Sequence, residues 1–183
     1  MTQPAIAALL NAHLGGLEEY TPIQPLDVLS ERLGIPVDKL IKLDANENPY
    51  GPVPAVIDAL RSFEHFHIYP DPDNQALRAA LAEFTGVPSD AIFPGHGADE
   101  LLDLLCRVFL APGDSVINTP PTFGMYSFDA RLQGARVIDV ERKDDYSIDV
   151  DGIREAVRNN DGVKLVFLTT PNNPTGNWLA DAD

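Results

Sequence analysis

The sequence is poor in cysteine, in basic residues and in long apolar runs. Its single cysteine, Cys106, excludes a disulfide framework within the chain and suits a reducing compartment. Only 13 lysine and arginine residues oppose 28 acidic ones, and the resulting net charge of -15 repels nucleic acid and anionic lipid. No apolar stretch is long enough to span a membrane, and the N-terminus lacks the basic region of a signal peptide. We therefore predict a cytoplasmic protein that binds neither nucleic acid nor membrane.

Apolar residues are nevertheless plentiful, at 44% of 183 residues, which is enough for one globular domain with a core. Cys106 lies within the helical pattern "LLDLLCRVFL", where we interpret it as a buried apolar residue. His96 has no partners at metal-ligand spacing, so we predict no metal site.

The pattern of the chain changes along its length. Residues 1–43 are interrupted by prolines and are predicted to form an arm or part of a small domain. Helices are predicted for "LDVLSERLG", "PAVIDALRSF" and "ALRAALAEFTG". From "AIF" onward, the predicted strands "AIF", "SVINT", "RVIDV" and "VKLVFLTT" alternate with helices. This alternation predicts an α/β fold with a mostly parallel sheet flanked by helices, within a domain spanning 44–183.

Ligands of such sheets bind beyond the carboxyl ends of the strands, where three unusual segments are expected. In "GHGADE", Ala98 and Asp99 would begin a helix, and free N–H groups there attract phosphate. An ordinary tight turn, with Asp99 and Glu100 as acids of the first helical turn, explains the same residues.

The second segment, "PPTFGMY", places Phe123 beyond a strand end, where its ring could stack on a planar ligand. The alternative is that it packs in the core, and for Tyr126 and Phe128 we favour that interpretation. The third segment, "PNNPTG", is the most specific. Because a residue before proline is pushed out of the helical region, Asn173 would hold its amide at a strand tip, although a plain Asn-Pro turn is the alternative.

Five segments in this order resemble the N-terminal half of the histidinol-phosphate aminotransferases, which are fold-type I enzymes that use pyridoxal 5'-phosphate (PLP). The segments are "LDANENPYGP", "YPDPDNQALRAALA", "GHGADELLD", "PGDSVINTPPTFGMY" and "VFLTTPNNPTG". The resemblance covers residues from about 43 to 176, and "NENPYGP" with "YPDP" narrows it from the superfamily to this group and its near relatives.

The resemblance implies roles for individual residues. Asn173 would donate a hydrogen bond to the phenolic oxygen of PLP. Ala98 and Asp99 would cradle the phosphate, and Phe123 would stack on the pyridine ring. Tyr69 would reach the cofactor phosphate of a partner subunit, which implies a homodimer.

Asn46 would border the substrate pocket. The sequence departs from the family at His96, where asparagine is common, and at Phe123, which lacks a hydroxyl. Ile23 lies where some relatives carry a pocket tyrosine.

The family's catalytic lysine, which forms a Schiff base with PLP, has no counterpart among Lys39, Lys42, Lys143 and Lys164. The resemblance places that lysine, and the other residues that complete the site, after the "NPTG" segment. We therefore expect an N-terminal fragment, inactive alone, with exposed sheet edges and apolar surface that favour association.

The activity implied is transamination of L-histidinol phosphate, or of imidazole-acetol phosphate, with 2-oxoglutarate or glutamate in histidine biosynthesis. The partner is thus a small phosphorylated amine or ketone. One alternative is a related PLP enzyme, such as a threonine-phosphate decarboxylase or an aromatic aminotransferase. The other is a catalytically dead protein that acts by association.

Overall fold

The computed structural model describes residues 6–17 and 22–180. These residues fall into two compact units. The sheet unit comprises the described parts of 1–19 and 95–183, and the helical unit comprises the described part of 20–94. The boundary predicted between residues 43 and 44 concerns the domains of the family fold, and it stays a prediction.

Three α-helices form most of the helical unit: α1 (Leu26–Leu33), α2 (Pro54–Ser62) and α3 (Gln75–Thr85). The predicted helix ends are confirmed, because Gly34 and Gly86 take left-handed backbone angles, with φ of 66° and 75°. None of the residues in these three helices is buried. Throughout the described residues, no helix is long and apolar enough to cross a membrane.

The prediction of a strand at residues 91–93 is wrong. A 3-10 turn covers Ser89–Ala91, and Ile92 follows with an extended backbone, φ of -109° and ψ of 126°. Ile92 is not part of the sheet that the described residues form. Its backbone follows its β propensity, but a strand also needs a hydrogen-bonded neighbour.

The sheet unit alternates helices and strands as predicted. Its elements in chain order are α4 (Ala98–Phe109), β1 (Ser115–Asn118), α5 (Met125–Leu132), β2 (Arg136–Asp139), α6 (Val150–Asn159) and β3 (Val163–Val166). All strand pairs are parallel, in the order β2-β1-β3. This small parallel sheet flanked by helices confirms the predicted fold class.

The core of the sheet unit lies around the central strand, β1, all of whose residues are buried. Val116 packs with Ala130 from α5 and with Cys106 from α4, and all three are fully buried. The interpretation of Cys106 as a buried apolar residue is therefore confirmed. Burial also raises the pKa of its thiol to about 11, with a smaller contribution from Asp129.

Candidate functional site

Two loops follow neighbouring parallel strands, and so both leave the sheet at its carboxyl edge. One runs from Thr119 to Gly124 after β1, and the other is the Asn-Pro turn after β3. A side-chain hydrogen bond of 2.7 Å joins them, from the Thr122 hydroxyl to Oδ1 of Asn172. Two of the three segments predicted to bind a ligand therefore meet.

Asn173 is half-buried in the Asn-Pro turn. The turn is closed by two backbone hydrogen bonds, from Gly176 to the carbonyl of Asn172 at 2.8 Å and from Asn172 to the carbonyl of Asn177 at 2.9 Å. The peptide bond between Asn173 and Pro174 is cis. Because β3 ends at Val166, Asn173 lies in a hydrogen-bonded turn beyond the strand and not at its tip.

Phe123 is half-buried and begins a row of three aromatic rings. Its ring meets Tyr126 edge-on, with centroids 5.7 Å apart, and Tyr126 stacks on Phe167 at 4.9 Å. The Tyr126 hydroxyl accepts a hydrogen bond of 2.9 Å from Thr169. Tyr126 is thus a packing residue, as predicted, and it supports the ring of Phe123 from one side. Phe128 is half-buried as well.

The N-terminus of α4 has no side-chain cap. Its N-cap residue is Gly97, with φ of 85°, and the next two residues, Ala98 and Asp99, are exposed. Capping side chains normally accept hydrogen bonds from the first N–H groups of a helix, so these groups have no such acceptor here. This feature favours the interpretation of "GHGADE" as an anion-binding turn.

The turn before α4 is held by Glu100. Its carboxylate accepts hydrogen bonds from the backbone N–H of His96 at 2.5 Å and from the His96 ring at 3.1 Å. The backbone hydrogen bond is the main reason that the pKa of Glu100 lies below its usual value. A Cβ at Gly95 would lie 2.8 Å from the Leu101 side chain and 2.9 Å from the Glu100 carboxylate, so a larger residue there would displace both side chains.

The remaining predicted binding residues, Tyr69 and Asn46, lie in the helical unit. The side chain of Tyr69 is 98% exposed, which leaves its hydroxyl accessible to another molecule. Asn46 is exposed as well and takes a left-handed backbone angle, with φ of 52°. The roles of both residues stay predictions.

None of the four lysines lies in the Asn-Pro turn or in the loop after β1. Lys164 belongs to β3 near its amino end, and Lys143 is exposed in the loop after β2. Lys39 and Lys42 belong to the helical unit, where Lys42 pairs with Glu47 at 3.2 Å.

Sequence reasoning missed two buried polar residues that hold the loops. One is Asn172, which is 3% exposed, and the other is Arg142, which is 8% exposed. Arg142 donates hydrogen bonds to the carbonyls of Thr119 at 3.2 Å and Tyr146 at 3.1 Å, and burial lowers the pKa of its guanidinium. Its segment, "ERKDDYS", resembles an ordinary solvated loop, so nothing in the sequence distinguishes this arginine.

Asp129 on α5 was also missed. It is 2% exposed, and its Oδ2 atom has no hydrogen-bond partner among the described residues. Burial, with smaller contributions from the charges of Asp103 and Asp99 on α4, raises its pKa to about 6. Among the described residues, no group of three His, Cys, Asp or Glu side chains is arranged to hold a metal ion.

Comparison with known proteins supports the resemblance to aminotransferases that the sequence motifs indicate. The family model for aminotransferase class I and II matches residues 38–183. The chain is 54% identical over 181 residues to a histidinol-phosphate aminotransferase of Roseiflexus castenholzii, covering 96% of this chain and 48% of the relative. It is 52% identical to the chloroplastic histidinol-phosphate aminotransferase of Nicotiana plumbaginifolia, covering 95% of this chain and 42% of the relative.

A solved structure shows a similar fold. The histidinol-phosphate aminotransferase of Sinorhizobium meliloti, in complex with PLP, superposes with a TM-score of 0.77 at 28% identity. The match covers 93% of this chain and 44% of that one. The chain thus spans less than half the length of each of these three proteins.

Proposed function

Because the chain belongs to the aminotransferase class I and II family, we propose that the protein is a PLP-dependent aminotransferase of histidine biosynthesis. Its substrates would be L-histidinol phosphate with 2-oxoglutarate or, in the biosynthetic direction, imidazole-acetol phosphate with glutamate. The observation that carries the proposal is the hydrogen bond between Thr122 and Asn172, which joins the loop of Phe123 to the turn of Asn173. The identity of 54% to a histidinol-phosphate aminotransferase supports the choice of substrate.

The residues of the sheet unit fit the cofactor. The uncapped N-terminus of α4 offers N–H groups to a phosphate, and Gly97 leaves room beside it. Phe123 would cover one face of the pyridine ring, and the Asn173 amide would donate a hydrogen bond to the phenolic oxygen. When bound, PLP would supply an electron sink for the bond changes at the amino-bearing carbon of the substrate.

In this proposal, none of the four lysines in the chain is the lysine that forms a Schiff base with PLP. Lys164 lies near the amino end of β3, far along the strand from the Asn-Pro turn, and Lys143 points from an exposed loop. The 183 residues would therefore bind and orient the cofactor but would not catalyse transamination by themselves.

The proposal also includes association of two copies of the protein into a homodimer. We place Tyr69 at the cofactor phosphate of a second subunit in a homodimer, which its nearly complete exposure permits. Asn46 would border the substrate pocket. A cytoplasmic location also belongs to the proposal, and the Nicotiana plumbaginifolia relative is, by contrast, named as chloroplastic.

A PLP titration followed by borohydride reduction and peptide mass spectrometry tests the cofactor site. We expect the chain to bind PLP without stable labelling of any lysine. Replacing Asn173 with alanine should weaken binding about two- to tenfold, because one hydrogen bond is lost. Asn159→Ala is the matched control, since Asn159 is exposed on α6. Stoichiometric labelling of one lysine, or equal binding by the Asn173 variant and the wild type, would contradict the site.

Activity is tested with a chimera. The chain would be joined to the part of the Roseiflexus relative that follows the matched region, and the chimera would be assayed with L-histidinol phosphate and 2-oxoglutarate. We expect turnover by the chimera and none by the chain alone. Preference for threonine phosphate or an aromatic amino acid would indicate a related PLP enzyme. A chimera that folds and binds PLP but has no activity would support a non-catalytic partner.

A further inference from the structure

Three of the four hydrogen-bonding directions of the Asn172 side chain are engaged, by partners in two different loops. Its Oδ1 accepts the Thr122 hydroxyl at 2.7 Å, and its Nδ2 donates to the Pro121 carbonyl at 3.0 Å and to the Thr175 hydroxyl at 2.7 Å. The orientation of the amide is fixed by chemistry, because the Pro121 carbonyl can only accept. At 3% exposure, the amide has little access to water as a substitute partner.

These bonds link the two residues that the proposed function places on the cofactor. Thr122 immediately precedes Phe123, and Asn172 immediately precedes Asn173. A shift of either loop relative to the other would therefore change the separation between the aromatic ring and the Asn173 amide. Two further contacts brace the same edge of the sheet: Arg142 donates to the Thr119 carbonyl, and Asn177 donates to the Asp145 carbonyl at 3.2 Å.

We propose that Asn172 is the positioning residue that holds the Asn173 amide in register with Phe123. The predicted effect on PLP binding rests on the proposed function. The hydrogen-bonded link between the two loops does not, because it is a property of the chain itself. Asn172 would not touch the cofactor. Its effect on cofactor binding would pass entirely through the placement of Asn173 and Phe123, and misplacement by about 1 Å is enough to weaken a directed contact strongly.

Hydrogen exchange tests the link between the loops. In Asn172→Ala we expect exchange to rise about tenfold or more in residues 119–124 and 170–177 together, because both lose their shared anchor. Residues 150–159 of α6 should be unchanged. Thr122→Val is the milder variant, since it keeps the side-chain volume and removes one bond, and it should raise exchange in the same two segments by a smaller factor. Unchanged exchange in both variants would overturn the proposal.

Measurements of PLP binding test whether Asn172 acts through Asn173. We would titrate the phenolic group of bound PLP by its absorption and measure the PLP dissociation constant. Asn172→Ala should weaken binding about tenfold and raise the phenolic pKa in the same direction as Asn173→Ala. The loss in the double variant should be smaller than the two single losses combined, because in the Asn173→Ala background Asn172 has only Phe123 left to position. Additive losses would show that Asn172 acts independently of Asn173 and would overturn the inference.

The variant Asn172→Asp allows a further test, in which lowering the pH should restore slow hydrogen exchange in the two loops. The aspartate keeps an acceptor for Thr122, but its carboxylate faces the Pro121 carbonyl, which cannot donate. Relative to the wild type at the same pH, exchange in the two loops should be faster at about pH 8. It should return toward the wild-type rate at about pH 3.5, below the ordinary pKa of an aspartate, where the protonated carboxyl donates one bond. Equal ratios at the two pH values would contradict a hydrogen-bonding role.

Failure of the proposed function gives a different result from failure of this inference. If the wild-type chain bound no PLP, the proposed function would fail, while faster exchange of both loops in Asn172→Ala would still support the positioning role. If the wild type bound PLP and Asn172→Ala bound it equally well, only the inference would fail.

Discussion

Replacing Asp129 with asparagine tests the electrostatics of the interface between α4 and α5. Asp129 is buried on α5, its Oδ2 atom has no partner, and the carboxylates of Asp103 and Asp99 on α4 add negative charge nearby. Arg107 offsets part of this charge, because its guanidinium contacts Asp103 at 2.6 Å. The folded protein therefore favours the neutral form of Asp129, which is the form that asparagine imitates.

The pKa gives the size and sign of the effect. Asp129 titrates at about 6 in the folded state, compared with 3.8 for an ordinary aspartate. Its proton is therefore bound more tightly in the folded state, so ionisation costs stability as the pH rises. The cost is absent below about pH 3.8, grows between the two pKa values, and reaches about 3 kcal/mol above pH 6. Between about pH 4.5 and about pH 7.5 the change amounts to about 2 kcal/mol.

Urea unfolding at these two pH values, followed by circular dichroism, measures the effect. The difference in free energy of unfolding between Asp129→Asn and the wild type should favour the variant by about 2 kcal/mol more at the higher pH than at the lower. Any fixed cost of burying the amide is the same at both pH values and cancels. A difference that stays within about 0.5 kcal/mol would refute the reasoning, because it would mean that Asp129 titrates normally in the folded chain.

One further substitution and one chemical treatment test the packing of the sheet unit. Gly95→Ala should lower the free energy of unfolding by about 0.5–1.5 kcal/mol, because the new methyl group would displace Leu101 and the Glu100 carboxylate that accepts the His96 N–H. Gly124→Ala, where a Cβ meets nothing within 4 Å, is the control in the same urea titration. Iodoacetamide at about pH 8 should leave Cys106 unlabelled in the folded chain but label it after unfolding, since a pKa of about 11 lowers the reactive thiolate about a hundredfold and burial blocks access. Rapid labelling of the folded chain would contradict the packing of α4.

Local signals in the sequence were sufficient to predict most of the helices and the three strands of the sheet. Gly34 and Gly86 end helices because only glycine takes their left-handed angles without strain. The strand β1, with the β-branched Val116 and Ile117 at its centre, is buried throughout, as expected for the central strand of a parallel sheet. The strand predicted at 91–93 failed for a nonlocal reason, since no strand of the described part of the chain pairs with its residues.

The parts of the site that could not be predicted depend on partners far along the chain. Asn172 and Asn173 are adjacent asparagines in one motif, yet only contacts with residues some 50 positions earlier show that the first is a structural anchor. Arg142 looks like a solvated arginine until its bond to the Thr119 carbonyl is seen. Asp129 has the spacing of an ordinary helical residue, and its burial depends on how α4 packs against α5.

Exposed apolar side chains are common in both units, and they show which surfaces the chain leaves uncovered. Leu168 and Trp178, beyond the edge strand β3, are 47% and 79% exposed, and Tyr50 and Phe84 of the helical unit are 94% and 88% exposed. The expectation of exposed apolar surface is therefore confirmed, and surface of this kind favours association. The bonds that hold the Asn-Pro turn, by contrast, come from the buried side chain of Asn172 and its partners Thr122 and Pro121, all within the sheet unit. Since the loop geometry is set inside that unit, variants of Asn172 and Thr122 can report on the proposed cofactor site in this chain whatever covers its outer surfaces.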